Sequence, residues 1–304
     1  MKHFIITVDT EGDNLWRYKE GEEIETHNAK YLPRFQSICE KYGLKPVYLT
    51  NYEMAKSETF VNEANKWLSK GTCEIGVHLH AWNTPPIVNL QGPYNGKPYL
   101  IEYPYDVMRA KFQVLYDLLV ENFGIKPVSH RAGRWAMDDR YFKILREFGI
   151  KVDCSYTPGI SWKRHKGITI GGSDYSIESK SVQMIDGVME VPATTRFYKS
   201  CLNGSWKHRI KTLMKGEHVW LRPAMSSLAG MKRVLDIVDR ESDVDLVEFM
   251  LHSSELMPGG SPYFPTREDI EKEYKTIETF FAYAKSKGYQ GCTLEEYYNN
   301  KNRE

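Results

Sequence analysis

"HFIITVDTEGD", residues 3–13, places a short apolar run directly before a pair of carboxylates. The β-branched and aromatic residues of this run are typical of a buried strand, and the run is too short for the apolar core of a signal peptide. Side chains alternate between the two faces of a strand, so Asp9 and Glu11 lie on one face if the strand extends that far. The stretch therefore predicts a first strand that delivers two acidic side chains to one end of a sheet.

Strand-like and helix-like segments alternate along the chain beyond this strand. Short apolar runs at 45–50, 73–80, 126–130 and 151–156 are separated by segments with apolar residues at helical spacing. Alternation of this kind is typical of βαβ units with parallel strands. We predict an α/β fold with roughly seven or eight strands, close to the number in a (β/α) barrel, in a single domain over residues 1–304. The less regular segments 83–103 and 157–226 are expected to form extended loops, or in the second case an insertion, with one strand at GVMEVPAT, residues 187–194.

The composition is that of an ordinary globular protein. Of 304 residues, 41% are hydrophobic and 27% charged, and the net charge of +1 predicts no general attraction to nucleic acid or anionic membranes. No apolar run is long enough to cross a bilayer, so no transmembrane segment is expected. The cysteines show no CxxC spacing and are odd in number, which favours a reduced, cytoplasmic protein over a disulfide framework: Cys39, Cys73, Cys154, Cys201 and Cys292. The sequence leaves the oligomeric state open.

Ionisable side chains follow the predicted strands at the end where parallel barrels carry their functional residues. The stretch IGVHLHAW, residues 75–82, sets His78 and His80 two residues apart, which puts both imidazoles on one strand face. Other strand ends supply further ionisable residues: His130, Arg131 and Arg134 in SHRAGRW (129–135), Asp153, and His252 in FMLHSSE (249–255). Because burying such groups without partners is costly, we expect them to share a polar cleft or to contact one another.

Two imidazoles and one carboxylate, with positions left for water and substrate, form the ligand set of many catalytic zinc and non-haem iron sites. We therefore predict that His78 and His80 are metal ligands. The spacing leaves open whether Asp9 or Glu11 completes the set, since carboxylates after a strand often cap the next helix. Isolated histidines elsewhere in the chain are interpreted as surface or hydrogen-bonded core residues.

In their order along the chain, the stretches TVDTEGD, EIGVHLHAW, SHRAGRW and FMLHSSE resemble the motifs of the polysaccharide deacetylase family, the NodB-homology carbohydrate esterases. The closest resemblance is to a divergent branch associated with lipopolysaccharide and O-antigen biosynthesis, and it runs from the first strand to about residue 258. It implies a distorted (β/α) TIM-like barrel of about seven parallel strands. It also implies a metal-dependent hydrolase that removes N-acetyl or other acyl groups from a sugar or glycan.

The resemblance assigns roles to individual residues. Glu11, His78 and His80 would bind one divalent metal ion, with zinc as the expected metal. The catalytic set would comprise Asp9 as base, Arg131 orienting that base, Asp153 holding Arg131 in turn, and His252 as general acid. The substrate would be contacted by Arg134 and by an aromatic wall of Trp82, Trp135 and Tyr156.

Two positions depart from the family pattern. The first motif of the family has adjacent aspartates, whereas Asp9 and Glu11 are separated by one residue. The second motif has histidines four residues apart, whereas His80 follows His78 by two and Trp82 occupies the fourth position. We therefore predict that a strand, rather than a helical turn, presents both histidines.

Two other functions are compatible with the same residues. The chain could be an amidohydrolase acting on a non-sugar amide, because such a site cleaves any amide that fits it. It could also be a catalytically inactive barrel that binds a glycan. The exact sugar, the acyl group, the metal and the carrier of the substrate are not specified by the sequence.

Overall fold

The computed structural model describes residues 2–19, 21–199 and 205–303. Its strands are β1 (Lys2–Thr10), β2 (Pro46–Thr50), β3 (Glu74–Leu79), β4 (Ser129–Ala132), β5 (Val152–Asp153), β6 (Gln183–Ile185), β7 (Val188–Glu190), β8 (Thr195–Tyr198), β9 (Glu217–Trp220), β10 (Leu246–His252) and β11 (Tyr289–Gly291). Its α-helices are α1 (Leu32–Lys41), α2 (Tyr52–Lys56), α3 (Glu58–Ser69), α4 (Tyr105–Phe123), α5 (Asp139–Glu147), α6 (Trp206–Lys215), α7 (Leu228–Val238), α8 (Arg267–Ser286) and α9 (Leu294–Lys301). Short 3-10 helices lie at His27–Tyr31, Leu100–Glu102, Gly133–Trp135 and Ser253–Leu256.

The centre of the fold is a curled sheet in the order β10-β1-β2-β3-β4-β5-β7-β6, with β11 pairing with β1. Every pairing from β10 through to β7 is parallel, and only β6 joins antiparallel to β7. β8 and β9 form a separate antiparallel pair, which contacts β10 through a hydrogen bond from the Met250 N–H to the Leu221 carbonyl. The prediction of a distorted (β/α) barrel with about seven parallel strands is confirmed.

β1 shows how the sequence separates the two faces of this sheet. Phe4, Ile6 and Val8 are buried in the hydrophobic layer that the helices cover. Thr7 and Asp9 point the opposite way, into the interior of the barrel, where both contact Arg131. The alternation predicted from residues 3–13 therefore places apolar side chains under the helices and polar side chains inside the curl of the sheet.

The helices begin and end at residues suited to those positions. The Asp138 carboxylate accepts a hydrogen bond from the Tyr141 N–H at 2.9 Å and so caps α5. α4 ends at Gly124, whose φ of +63° is a left-handed conformation that glycine adopts without strain. These local signals fix where the chain turns back toward the next strand.

The two segments expected to form extended loops differ from each other. Residues 83–99 contain no helix or strand. The second segment, 157–226, is a loop without regular helix or strand only up to about residue 182, and its remainder holds β6 to β9 and α6. β7 lies within the strand predicted at residues 187–194, whereas β6, β8 and β9 are not predicted, because short strands separated by turns carry too few residues to show a period in the sequence.

No helix in the part of the chain that the structure describes is both long and apolar enough to cross a membrane. The cysteines at 39, 73, 154 and 292 are buried and carry free thiols. Cys201 lies outside the described residues. Within the described ranges, therefore, no disulfide contributes to the fold.

Lys111 is a fully buried lysine in α4 that anchors the loop after β3. Its ammonium group donates hydrogen bonds to the carbonyl oxygens of Ala81, Thr84 and Pro86 at 2.9, 2.8 and 2.6 Å. Burial lowers the pKa of Lys111 to about 8, so the group is still mostly charged at pH 7. This one side chain therefore satisfies three carbonyl groups and fixes the loop that carries Trp82.

We expect Lys111→Met to lower the free energy of unfolding by about 3 kcal/mol, because three buried carbonyl groups lose their donor. Urea denaturation followed by circular dichroism measures this loss. Lys56→Met, which removes an exposed lysine of α2, is the control and should change stability by less than about 0.5 kcal/mol. Equal stability of the two variants would contradict an anchoring role for Lys111.

Candidate active site

The carboxyl ends of β1, β3, β4 and β10 meet on one side of the sheet. In the register of β1 and β10, Asp9 lies opposite His252, and in that of β3 and β4, His78 lies opposite Arg131. β2 lies between β1 and β3. Asp9, His78 and His252 line a cavity of about 530 Å³, together with aromatic and cationic side chains from the surrounding loops. This is the end at which parallel barrels carry their functional residues.

Glu11, His78 and His80 form a buried cluster whose three ligand atoms lie within 4.8 Å of one another. Glu11 Oε2 lies 2.8 Å from His80 Nε2 and 3.5 Å from His78 Nε2. The two imidazole rings are 4.7 Å apart between centroids and stand at 87° to each other. Both histidines therefore present Nε2 to one carboxylate from the same side of β3, as the two-residue spacing predicts.

The ring nitrogens of the two imidazoles are oriented for metal binding. His78 Nδ1 lies 3.0 Å from the Arg131 carbonyl oxygen, which can only accept, so Nδ1 donates its proton and Nε2 is the atom directed at Glu11. Burial alone would lower the pKa of His78, but the carboxylates of Asp9 and Glu11 raise it. Burial lowers the pKa of His80 to about 4, which keeps that imidazole neutral at pH 7. Burial alone would raise the pKa of Glu11, but His252, His78 and His80 hold it well below its usual value. One ionised carboxylate and two imidazoles whose Nε2 atoms face it fit a divalent ion such as zinc, which would replace the proton that His80 Nε2 donates to Glu11.

Asp9 lies beside this cluster but is engaged by Arg131. The Arg131 guanidinium is fully buried, donates to Asp9 Oδ1 at 2.5 Å, and also donates to Glu248 and to the Thr7 hydroxyl. Burial alone would raise the pKa of Asp9, but Arg131 and the nearby imidazoles of His78 and His252 lower it instead. Asp9 is therefore an ionised acceptor at neutral pH.

Asp153 does not contact Arg131, so the prediction that it holds this arginine is wrong. Its Oδ1 lies 2.7 Å from His130 Nδ1 and accepts from the Ser155 hydroxyl at 2.7 Å. The register pairs His130 with Asp153, and directly opposed residues of neighbouring strands share a face. Arg131 is one position further along β4 and points to the opposite face, where Glu248 supports it instead.

His252 faces the two carboxylates from across the cavity. Its Nε2 lies 3.7 Å from Asp9 Oδ2 and 3.8 Å from Glu11 Oε1. Its Nδ1 lies 2.9 Å from Arg222 Nη2 and 3.3 Å from Glu255 Oε1. Arg222 and Glu255 also form an ion pair with each other. Burial alone would raise the pKa of Glu255, but Arg222 and His252 lower it. The ring is thus held at Nδ1 while Nε2 remains directed into the cavity.

The four residues predicted to contact a substrate separate into two groups. Trp82, Arg134 and Trp135 line the cavity. Tyr156 does not line it: its ring packs against Tyr175 at 4.5 Å between centroids, and it belongs to the core. The prediction for Tyr156 is corrected, because its ring packs between Phe142 and Tyr175 instead of lining the cavity.

Sequence reasoning missed several residues that surround the site. Glu248 carried a signal, since it is the single charged side chain before His252 within the apolar strand LVEFMLH. Arg222, Glu255, Lys97 and Trp16 lie in loops or short 3-10 turns, where no periodicity predicts which way a side chain points. Their contribution becomes visible only once the loops are placed over the barrel.

Gly133 allows β4 to pass close to His80. A Cβ atom at this position would lie 2.4 Å from the Leu79 carbonyl oxygen and 2.7 Å from His80 Nδ1. We expect Gly133→Ala to displace His80 and to weaken divalent-metal affinity by about 10- to 100-fold, the range found when support for a metal ligand is lost. Equilibrium titration with zinc against a competing chelator measures the effect.

Gly71→Ala is the control for this prediction. A Cβ at Gly71 meets nothing within 4 Å, but its φ of +66° makes alanine unfavourable. This variant should lose about 1 kcal/mol of stability and keep its metal affinity. If both variants bind zinc like the original chain, close packing at Gly133 does not position His80.

No family model matches the sequence, and no curated protein matches it. Among solved structures, a candidate polysaccharide deacetylase from Mycobacterium smegmatis is similar over 98% of this chain and 90% of its own, with a TM-score of 0.56 and 13% identity. The fold is that of the polysaccharide deacetylases. A 4-alpha-glucanotransferase from Thermococcus litoralis is also similar, with a TM-score of 0.55 and 14% identity, over 99% of this chain and 41% of its own. At such low identity the similarity establishes the fold alone.

Proposed function

We propose that this chain is a metal-dependent deacylase that hydrolyses an N-acyl group, such as N-acetyl, on a sugar. The observation that carries the proposal is the position of Asp9 and His252 beside the cluster of Glu11, His78 and His80 in one cavity. A metal-ligand set, an ionised base and an imidazole directed into the same space are the groups that amide hydrolysis requires. The polysaccharide deacetylase fold supports a sugar as the amide's carrier.

Glu11, His78 and His80 would hold the divalent ion, and zinc is the metal that this donor set favours. When bound, such an ion acts as a Lewis acid that polarises a carbonyl group and makes a nearby water more acidic. The remaining steps depend on side chains of the chain itself.

Asp9 is placed to act as the general base. Its contact with Arg131 lowers its pKa, so the carboxylate is available to accept a proton at neutral pH. Its Oδ1 is engaged by Arg131, and Oδ2 faces His252 across the cavity. Oδ2 would take the proton from the attacking water as its oxygen bonds to the acyl carbon.

His252 is placed to act as the general acid. In the structure Arg222 Nη2 donates to His252 Nδ1. As an imidazolium the ring would instead donate Nδ1–H to Glu255 Oε1, 3.3 Å away, and keep Nε2–H directed into the cavity. When the carbon–nitrogen bond breaks, the leaving nitrogen would take the Nε2 proton, which yields a free amine and a carboxylate. Glu255 would stabilise the charged ring before transfer.

The aromatic residues of the cavity would bind the sugar. Trp82 and Trp135 line the space beside the base and acid, and Trp16 borders it, with its ring 5.2 Å from that of His252. Flat rings match the apolar face of a pyranose, while the polar groups set its orientation. The motif resemblance to the lipopolysaccharide and O-antigen branch supports a surface-glycan precursor as substrate, handled in the cytoplasm.

Acetate release from N-acetyl sugars tests the proposal. The purified chain should be stripped with a chelator, restored with one equivalent of zinc, and given N-acetylated sugars and small cyclic amides in parallel. We expect zinc-dependent acetate release from at least one sugar and no opening of the cyclic amides. Turnover of the cyclic amides alone, or sugar binding without turnover at any metal loading, would overturn the proposal.

A further inference from the structure

Two cations of the cavity wall, Lys97 and Arg134, lack a carboxylate partner within the described ranges. Lys97 Nζ donates to the Leu15 carbonyl oxygen at 3.3 Å, which uses one of its three protons. The Arg134 guanidinium donates to the carbonyl oxygens of Lys97 and Lys166. Both side chains line the cavity that contains the candidate base and acid.

Glu102, the acidic side chain whose charge acts on Arg134, is already engaged by backbone donors. Glu102 accepts hydrogen bonds from the backbone N–H groups of Tyr99, Ile168 and Thr169. The other cations around the cavity are neutralised, since Arg222 pairs with Glu255 and Arg131 pairs with Asp9 and Glu248. Lys97 and Arg134 are therefore the positive charges left without a counter-ion in the described part of this wall.

The two cations are held close together although they repel. Burial lowers the pKa of Lys97, the Glu11 carboxylate opposes this, and the Arg134 guanidinium lowers the pKa further. Arg134 and Trp135 have φ angles of +57° and +62°, a left-handed conformation that is unfavourable for residues other than glycine. The fold thus sustains both charge repulsion and backbone strain to keep Arg134 on this wall.

The wall lies beside the proposed metal ligands. Lys97 Nζ is 4.9 Å from the centroid of the Trp82 ring, and that ring is 4.2 Å from the centroid of His80. On the other side, the Arg134 guanidinium stacks on Tyr99 at 4.0 Å from its centroid. One indole separates the ammonium group from the metal-ligand cluster, so one small sugar could contact both.

We propose that the substrate is an acylamino sugar that also carries an anionic group, a carboxylate or a phosphate, bound by Lys97 and Arg134. The inference rests on the proposed deacylase function, since it places the acyl group at Asp9 and His252. A negatively charged group supplies the missing counter-ion, and charge-assisted hydrogen bonds to a partly desolvated anion are stronger than neutral ones. The anion would be a ring carboxylate or the phosphate that links a sugar to its carrier.

Three probes distinguish these sources: methyl N-acetylglucosaminide, the corresponding methyl N-acetylglucosaminuronide, and UDP-N-acetylglucosamine. Dissociation constants are measured by calorimetry and kcat/KM by acetate release, both on the zinc-loaded chain. At least one anionic probe should bind about tenfold or more tightly than the neutral probe. Preference for the uronide indicates a ring carboxylate, and preference for the nucleotide sugar indicates a phosphate. Equal binding of all three would overturn the proposal.

Lys97→Met and Arg134→Met test the residues. Each variant should reduce the ratio of anionic to neutral affinity by about tenfold or more, since one charge-assisted contact is removed. Lys163→Met is the control, because this exposed lysine pairs with Asp174 in a neighbouring loop outside the cavity lining. A loss that is equal for neutral and anionic probes would mean that the two residues support the loops only, and would contradict the proposal.

Failure of this inference can be told apart from failure of the proposed function. Zinc-dependent acetate release without any preference for an anion refutes the anionic substrate and leaves the deacylase intact. Lys97-dependent binding of an anionic sugar without acetate release refutes the deacylase and supports the anion site by itself.

Discussion

Joint replacement of His78 and His80 by alanine is expected to abolish stoichiometric metal binding. The original chain should carry about one equivalent of a divalent ion after purification in zinc-containing buffer, and the double variant less than about a tenth. Glu11 alone would remain of the three clustered ligands, and a single carboxylate does not retain zinc. Elemental analysis of gel-filtered protein measures the difference, and acetate release should fall by at least about a thousandfold.

A matched double variant separates ligand loss from the loss of any two histidines. His208→Ala/His218→Ala removes two imidazoles near α6 and β9, away from the cavity lining. This variant should retain both its metal and its turnover. Full metal occupancy in the His78→Ala/His80→Ala variant would refute the ligand assignment.

The second large effect is expected for His252→Ala. If this imidazole protonates the leaving nitrogen, its removal should lower kcat on an N-acetyl sugar by about 10²- to 10⁴-fold, the usual contribution of a general acid. The metal content should stay near one equivalent, because Nε2 of His252 lies 3.8 Å from Glu11 and outside the cluster of three ligands.

An activated ester gives this prediction a sharper form. Hydrolysis of 4-nitrophenyl acetate releases a good leaving group that needs no proton, so His252→Ala should retain most of its rate on the ester. The ratio of amide to ester turnover should therefore collapse in the variant. An equal loss on both substrates would indicate that His252 positions Asp9 or Arg222 and does not act as an acid.

The parallel sheet and the shared face of His78 and His80 could be predicted because both follow from short-range patterns. Apolar alternation placed β1, and its two faces separated in the structure as the pattern required. The period of two along β3 also brought both imidazoles to Glu11. Such predictions require only the limits of a strand and the alternation of side chains along it.

The partners of Arg131 could not be predicted from its own strand. Asp153 is near in sequence, but its register with His130 turns it toward the helices, and Glu248 reaches Arg131 from β10, more than a hundred residues along the chain. Lys97 and Arg222 lie in loops whose path depends on the whole barrel. Contacts between distant segments depend on curl and register, which no local pattern encodes.

The position of both histidines at one strand end has a consequence for metal selection. His78 lies within β3 and pairs with Arg131 of β4, whereas His80 follows the strand end by one residue, where Gly133 packs against its ring. Ligands fixed in advance lose little conformational entropy when an ion arrives, and they do not rearrange to suit an ion of another preferred geometry. Discrimination between zinc and larger, oxygen-preferring ions would then come from the pairing of β3 with β4 and from the close packing of Gly133 on His80.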